Sequence, residues 1–179
     1  MPVPADFGMR LLAHVIDTVL WMFVITSITI VMFREKLGVW FRDAMEQAGR
    51  GVTTPVPPPE LPVWFSVVFQ YLVPLTLLVI LWKWKSATPG KMILGIKVVD
   101  AATGGKLSLF QCIARMIAYL PPMVPLMFLS TAGIAPQPML FVGAAIFTCP
   151  LLWGYLSILT DPRRQGWHDK VARSMVVRK

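Results

Sequence analysis

Three ionisable side chains lie on one face of the first apolar segment of the chain. Arg10, His14 and Asp17 open an apolar run that reaches Phe33, and at about 100° per residue they share one side of a helix. An aspartate near the centre of a membrane helix costs about 2.5–3.5 kcal/mol to insert, so it should face protein or water and have a partner. A carboxylate beside a histidine in such a helix is what a proton or cation path requires.

A second set of ionisable residues lies far along the chain. Arg115 stands seven residues into a predicted helix and Asp17 stands seven residues beyond Arg10, so both should lie roughly 10 Å below the inner membrane interface. We therefore expect Arg115 to pair with Asp17. His168 and Asp169, in the C-terminal tail, are expected to reach Arg10 at the membrane surface.

Two interpretations of these six residues stay open at this point. Buried ion pairs that only fix helix packing are as plausible as a proton or cation relay. Buried pairs often fix the register of packed helices and take no part in transport or catalysis. His14 taken alone is more often a satisfied core residue than a ligand. A metal site built from His14, Asp17 and His168 lacks any short ligand spacing, so the sequence predicts neither a metal nor a cofactor.

The composition is that of an integral membrane domain covering residues 1–179. The chain has 56% hydrophobic and 15% charged residues and a net charge of +8. Its lysines and arginines cluster in loops beside apolar segments, which argues for the membrane and against nucleic acid as partner. The first apolar run is too long for the core of a cleaved signal peptide and contains Asp17. Cys112 and Cys149 have no metal-ligand spacing and are predicted to be free, buried thiols.

The apolar segments predict an all-α membrane protein, a four-helix transmembrane bundle with a small cytoplasmic β element. The spans are placed at about 11–33, 63–82, 109–129 and 139–159. Residues 34–50 repeat apolar side chains at helical spacing opposite charged ones, which predicts an amphipathic helix on the outer membrane surface; a partner-docking helix is the alternative. Pro74 is expected to kink the second span. Trp82 and Trp84 are expected to anchor the end of that span at the membrane interface.

Two polar segments form the cytoplasmic side, a loop at 83–108 and a tail at 160–179. Thr88-Pro89-Gly90-Lys91 is expected to start a short turn; the phosphate-loop spacing is absent, so Lys91 is taken as a positive-inside charge. Ser108 to Gln111 fits a capping box that starts the third helix at Leu109. Residues 96–99 and 175–177 have strand composition, and we expect them to pair.

The loop charges set the orientation. With both termini inside, the cytoplasmic segments hold twelve lysines and arginines, and the outer loops hold four. This distribution predicts four spans with both termini cytoplasmic.

These residues together resemble the RDD family of small bacterial membrane proteins, named for an arginine and two aspartates. The resemblance rests on Arg10 and Asp17, on residues 88–91 and 95–100, on Arg115, and on residues 166–170. Arg10 and Asp17 match directly; the second family aspartate is placed at Asp169, with Asp100 as the alternative. The resemblance implies a bacterial cytoplasmic (inner) membrane protein for which transport has been suggested, and it names no substrate.

Three functions from different classes follow. The first is transport of a small ion or solute, proton or cation coupled, through the Asp/Arg/His network. The second is a non-catalytic accessory or assembly subunit whose buried ion pairs are structural. An enzyme is not expected, because no nucleophile or metal motif stands at a recognisable spacing. Four helices leave little room for an aqueous path, so beyond the lipid bilayer a homo-oligomer or a membrane partner protein is expected.

Overall fold

The computed structural model describes residues 3–52, 54, 56–119, 154 and 156–179. Residues 120–129 of the predicted third span, most of the predicted fourth span and Cys149 lie outside the described residues. The chain divides into two compact units, Met1–Asp17 with Leu75–Lys179, and Thr18–Pro74.

Unit Thr18–Pro74 contains most of helix α1, which runs from Phe7 to Gly49 and is kinked at Phe33 (φ −119°, ψ 24°). The kink lies at the last residue of the first predicted span, and the division into a span at 11–33 and an amphipathic helix at 34–50 stays a prediction. Trp40 Nε1 donates to the Val56 carbonyl oxygen at 3.2 Å, so the proline-rich connector returns to this helix. Phe41 and Met45, on its predicted apolar face, are each 61% exposed.

The second apolar segment begins with α2 (Val63–Phe65) and a π-helical stretch (Ser66–Leu72), and continues as α3 (Val73–Lys85). The wider π turns end just before Pro74. A proline in a helix lacks an N–H and its ring meets the carbonyl four residues earlier, and a π turn relieves that contact. The predicted irregularity at Pro74 is therefore present as a π-helical stretch on its N-terminal side.

Two helical stretches are long and apolar enough to cross a membrane, Phe7–Gly49 and Val63–Ile93. They contain the first and second predicted spans, at about 11–33 and 63–82, and each extends beyond its span. The structure is mostly helical with a small strand pair, and the third and fourth spans of a four-helix bundle remain a prediction. Of these, α5 (Leu109–Ile117) and a helical segment at 156–160 are described.

The unit formed by Met1–Asp17 and Leu75–Lys179 contains the predicted sheet. Strands β1 (Ile96–Asp100) and β2 (Ser174–Arg178) pair antiparallel with Val98 opposite Val176. The N-terminal residues join them, because Ala5 N–H donates to the Val176 carbonyl at 2.9 Å and Arg178 N–H donates to the Val3 carbonyl at 3.0 Å. The predicted pairing is confirmed, and it places both ends of the chain in one unit.

Three short helices complete this unit. They are α4 (Pro89–Ile93), α5, and α6 (Trp167–Val171). The predicted capping box of α5 is confirmed: Gln111 N–H donates to Ser108 Oγ at 3.2 Å and Ser108 N–H donates to Gln111 Oε1 at 2.9 Å.

The core of the unit lies beneath the sheet, and it includes Trp82, which the sequence predicted to be an interfacial anchor. Trp82 is 1% exposed and stacks on Tyr119 with ring centroids 6.0 Å apart, whereas Trp84 is 75% exposed. Trp82 is therefore a core residue and not an interfacial anchor. Cys112 is buried with a free thiol, as predicted. The remaining core residues are Ala5, Ala13, Ile96, Val98, Leu107 and Val176.

Candidate functional site

Asp169 is the centre of a buried ionic cluster. Arg10 Nη1 lies 2.7 Å from its Oδ2, and Arg115 Nη1 contacts its Oδ1. Gly166 N–H donates to Oδ2 at 3.0 Å. The Asp169 side chain is fully buried and each arginine side chain is 1% exposed, so one carboxylate is shared between two guanidinium groups away from solvent.

The two arginines extend this cluster into the surrounding elements. Arg10 also donates to the backbone carbonyls of Ala5 and Val176, each at 3.1 Å. Arg115 donates to the hydroxyl of Ser174 and lies over the Trp82 ring, 5.2 Å from its centroid. The cluster therefore ties the start of α1 to α5, α6 and β2. The expectation that Asp169 reaches Arg10 is confirmed.

The electrostatics of the cluster follow from burial and charge. Burial alone would raise the pKa of Asp169, but the adjacent guanidiniums of Arg115 and Arg10 outweigh it and hold that pKa below its usual range. Burial lowers the pKa of His168 to about 3 against the opposing effect of Asp169. His168 stacks on Tyr119 with ring centroids 4.9 Å apart. Burial therefore favours the neutral form of His168, whose Nε2 lies 3.7 Å from Asp169 Oδ1.

Asp17 does not pair with Arg115, so that prediction is wrong. Its Oδ2 accepts a hydrogen bond from the Thr88 hydroxyl at 2.5 Å, and its Oδ1 accepts one from Gly90 N–H at 2.7 Å. The reason is positional: Asp169, in the tail, binds Arg115, and the loop after α3 brings the Gly90 amide of α4 to Asp17. This amide lies in the first turn of α4 and so has no partner within its own helix.

Gly90 makes this arrangement possible because it has no side chain. A Cβ at this position would collide with the carbonyl oxygen of Ala13 and would lie 3.0 Å from its carbonyl carbon and 3.1 Å from the Asp17 carboxyl carbon. These distances are shorter than an ordinary van der Waals contact of 3.4–4 Å, so a side chain at this position would not fit without movement of its neighbours. Glycine thus lets the backbone of α4 lie directly against α1.

Lys91 is buried beside Asp17, although the sequence indicated a loop charge. The residue is 5% exposed, and its Nζ donates to Thr88 Oγ1 at 3.3 Å. The Thr88 hydroxyl therefore accepts from Lys91 and donates to Asp17. Lys91 is therefore buried within the fold and is not a solvated loop charge.

The other candidates are placed as follows. His14 is half-buried, one turn from Asp17. Asp100 is the last residue of β1, and its Oδ1 accepts hydrogen bonds from the Ala102 and Thr103 amides of the following turn, at 2.8 Å each. Asp169 and not Asp100 contacts Arg10, which favours Asp169 as the second family aspartate. Within the described ranges, no group of three or more histidine, cysteine, aspartate or glutamate side chains is arranged to hold a metal ion.

Sequence reasoning missed four contributors to the site: Thr88, Gly90, Lys91 and Ser174. The sequence contains a signal for three of these residues, Thr88, Gly90 and Lys91. Thr88-Pro89-Gly90-Lys91 combines a helix-start proline with a glycine and a lysine in a segment between apolar runs, and such a glycine indicates close backbone approach. Ser174 stands in a strand pattern that gives no indication of its arginine partner.

The apolar helices, together with a unit held by a buried arginine–aspartate cluster, define a helical membrane protein with an ion-paired polar domain. The family model for the RDD family matches residues 4–173. The chain belongs to the RDD family, which is made of membrane proteins. Comparison with curated proteins and with solved structures finds no match to this chain.

Proposed function

We propose that the protein transports a small monovalent cation in exchange for a proton, with Asp17 as the exchanging carboxylate. The Arg10–Asp169–Arg115 cluster then has a structural role and holds the polar domain against the start of α1. This assignment divides the predicted Asp/Arg/His network into a working part and a supporting part.

The contrast between the buried carboxylate of Asp169 and the half-buried carboxylate of Asp17 carries the proposal. Asp169 is neutralised by two arginines. Asp17 accepts hydrogen bonds only from neutral donors, a hydroxyl and an amide, and among the described residues it forms no ion pair. A carboxylate without a fixed counter-ion retains the capacity to take up a proton or a cation. One carboxylate balances one positive charge, which favours a monovalent ion.

We further propose four spans with both termini on the cytoplasmic side of a bacterial inner membrane. The charge asymmetry of the loops supports this orientation. The hydrogen bonds of Val3 and Ala5 to β2 also support it, because they require the two ends of the chain to lie on the same side. In this arrangement Asp17 lies near the inner end of the first span.

The transport unit is proposed to be a homo-oligomer, and no enzymatic step is involved. A bundle of four helices fills its own interior with side chains, so an aqueous path is more readily formed between copies. Chemical crosslinking in native membranes should give a ladder of defined size. A protein that is fully active as a monomer in nanodiscs would contradict this.

The experiment is sodium-driven proton movement in proteoliposomes, followed with a pH-sensitive dye inside the vesicles. Asp17→Asn should fold and insert, because the amide oxygen still accepts the Gly90 N–H, and should abolish the exchange. Asp100→Asn, at the end of β1, is the matched control and should retain the exchange. Exchange at the wild-type rate in folded Asp17→Asn would remove Asp17 from the mechanism.

An accessory role is the second candidate, and the exposed apolar side chains of the helix at 34–50 favour it. Phe41 and Met45 are each 61% exposed, and such side chains insert into a membrane surface or dock on a partner. Changing both residues to serine should release a membrane partner in co-purification if this role is correct. Unchanged co-purification together with an Asp17-dependent flux would reject it.

A further inference from the structure

The polar part of the unit Met1–Asp17 with Leu75–Lys179 is built twice from the same order of elements. A five-residue helix (α4), a residue with positive φ (Gly95, 65°) and a five-residue strand (β1) follow one another. The same order recurs in α6, Arg173 (φ 46°) and β2. Val98 and Val176, the central residues of the two strands, lie opposite each other in the sheet. An approximate two-fold axis therefore runs between these two valines.

Backbone hydrogen bonds follow the same axis. Arg178 N–H donates to the Val3 carbonyl at 3.0 Å, and Asp100 N–H donates to the Gly105 carbonyl at 2.9 Å. Arg178 and Asp100 each end a strand, and Val3 and Gly105 each precede a long or spanning helix, α1 or α5. The segments before α1 and α5 are therefore equivalent, and so are α3 and the helical segment at 156–160, which lead to α4 and α6.

The axis relates two clefts, and only one of them is bridged. Lys83, near the end of α3, donates from Nζ to the Leu107 carbonyl before α5 at 3.3 Å. Asp161 occupies the equivalent position after the helical segment at 156–160. Its carboxylate is held by two amides of its own turn and by Lys170. Among the described residues no side chain crosses this second cleft as Lys83 crosses the first, and a cavity of about 470 Å³ is present there.

The lining of the open cleft combines charged and apolar groups. The residues that matter here are Asp6, Phe7, Ile158, Leu159, Asp161 and Arg164. Arg164 is exposed, and in the described ranges its guanidinium acts on Asp6 through charge alone, without a hydrogen bond. Leu159 is 62% exposed. The cleft therefore offers two carboxylates, one guanidinium and an apolar wall.

The two carboxylates of the cleft are ionised and keep hydrogen-bonding capacity. A hydrogen bond from Met9 N–H holds the pKa of Asp6 below its usual range, and one from Lys170 does the same for Asp161. A carboxylate has about four acceptor positions. Asp6 uses two of them, for Met9 N–H and for Arg178, and Asp161 uses three. Together they can accept further hydrogen bonds from a cation that carries N–H groups.

The open cleft also lies where a lipid headgroup is found. Phe7 begins α1, one of the two stretches that are long and apolar enough to cross a membrane. Asp6 and Arg164 belong to the polar segments that flank the apolar ones. A phospholipid beside the start of α1 therefore has its charged groups next to the polar residues of the cleft and its acyl chains next to Phe7 and Leu159.

We propose that this cleft binds one phospholipid whose zwitterionic headgroup ends in a primary ammonium. The ammonium donates to the carboxylates of Asp6 and Asp161. The phosphate accepts from the guanidinium of Arg164, as arginine commonly binds phosphate oxygens. The acyl chains lie against Phe7 and Leu159. This lipid site is separate from Asp17 and does not depend on the proposed cation exchange.

Charge complementarity selects this headgroup over two others. One ammonium and one phosphate match a pair of carboxylates and one guanidinium. A choline headgroup carries the same charges, but its methylated nitrogen has no N–H group to donate. A glycerol headgroup has hydroxyl donors but no positive charge to place between the carboxylates. Ethanolamine is the headgroup that supplies both the charge and the donors.

The test measures binding of short-chain phospholipids to the purified, delipidated full-length protein in detergent, by native mass spectrometry. Phosphatidylethanolamine should bind about tenfold more tightly than phosphatidylcholine, because charged hydrogen bonds are lost with the latter. Phosphatidylglycerol should bind no more tightly than phosphatidylcholine. Glycerophosphoethanolamine, which has the headgroup without acyl chains, should bind more weakly than the lipid. Equal binding of the three lipids, a preference for phosphatidylglycerol, or equal binding of the soluble headgroup would overturn the proposal.

Variants locate the site in the cleft. Arg164→Gln should weaken phosphatidylethanolamine binding about tenfold. Arg163→Gln changes the neighbouring exposed arginine, which is not in the cleft lining, and should bind as wild type does. Asp6→Asn keeps an acceptor for Met9 N–H and should reduce the preference for ethanolamine over choline. Wild-type lipid preferences in folded Arg164→Gln and Asp6→Asn would reject the cleft as the site. If either variant fails to fold, the other variant and the headgroup series on wild type decide the question.

Discussion

Arg10 and Asp169 stand 159 positions apart in the chain and form a 2.7 Å ion pair that is closed to solvent. The pair joins the first turn of the first helix to the last helix before the final strand. Because Asp169 also contacts Arg115, removal of this one carboxylate leaves two guanidiniums buried together.

Asp169→Asn should therefore be strongly destabilising. Breaking a buried pair costs about 3–5 kcal/mol because the remaining charge loses its compensation. Thermal unfolding in detergent measures the loss. Glu46→Gln is the control with the same chemical change, since Glu46 and Arg50 form an exposed i,i+4 pair that is worth about 0.5 kcal/mol or less. Equal effects of the two substitutions would contradict the structural role of the cluster.

His168 should make stability depend on pH. Burial lowers its pKa to about 3 in the folded protein, against about 6.5 in an unfolded chain. Above about pH 6.5 both states are neutral and this residue adds no pH dependence. Between these values the unfolded chain binds one more proton, so the free energy of unfolding decreases as the pH is lowered, by up to about 1.4 kcal/mol per pH unit. Melting in detergent from pH 7.5 to 4.5 tests this.

The control for this pH dependence is His168→Phe, which keeps an aromatic ring against Tyr119 and has no titratable nitrogen. Its melting temperature should vary less with pH than that of wild type over the same range. An unchanged slope would assign the pH dependence to other groups.

Gly90→Ala should destabilise the protein and disturb Asp17. The new Cβ collides with the Ala13 carbonyl, and such overpacking typically costs about 1–3 kcal/mol. Gly38→Ala is the matched control, since a Cβ at this helical glycine has nothing within 4 Å, and it should stabilise by up to about 1 kcal/mol. Both are read by thermal unfolding. A neutral Gly90→Ala would show that α4 does not lie against α1.

Ser108→Ala should remove the capping box of α5 and cost about 1 kcal/mol. The loss arises because the amide of Gln111 loses its side-chain acceptor while the helix remains. Ser108→Thr keeps an acceptor oxygen and should cost far less. If both substitutions have the same effect in thermal unfolding, the cap contributes nothing to stability.

Local features of this fold were predictable from sequence because short-range chemistry determines them. The capping box at Ser108 and the strand composition at 96–99 and 175–177 both depend on neighbouring residues. The partner of Arg115 was not predictable in this way. Helix geometry places Asp17 and Arg115 at equal depth in the membrane. It does not indicate that the tail brings Asp169 to Arg115, or that the Gly90 amide reaches Asp17.

The long separation between Arg10 and Asp169 also sets an order of events during synthesis. At about 5–20 residues per second, the arginine leaves the ribosome roughly 8–30 s before its carboxylate exists. During that interval the tail carboxylate that binds Arg10 in the folded protein is absent. Docking of the tail is therefore the closing step of assembly, and a chain cut short before Asp169 lacks the group that ties the start of its first helix to the polar domain.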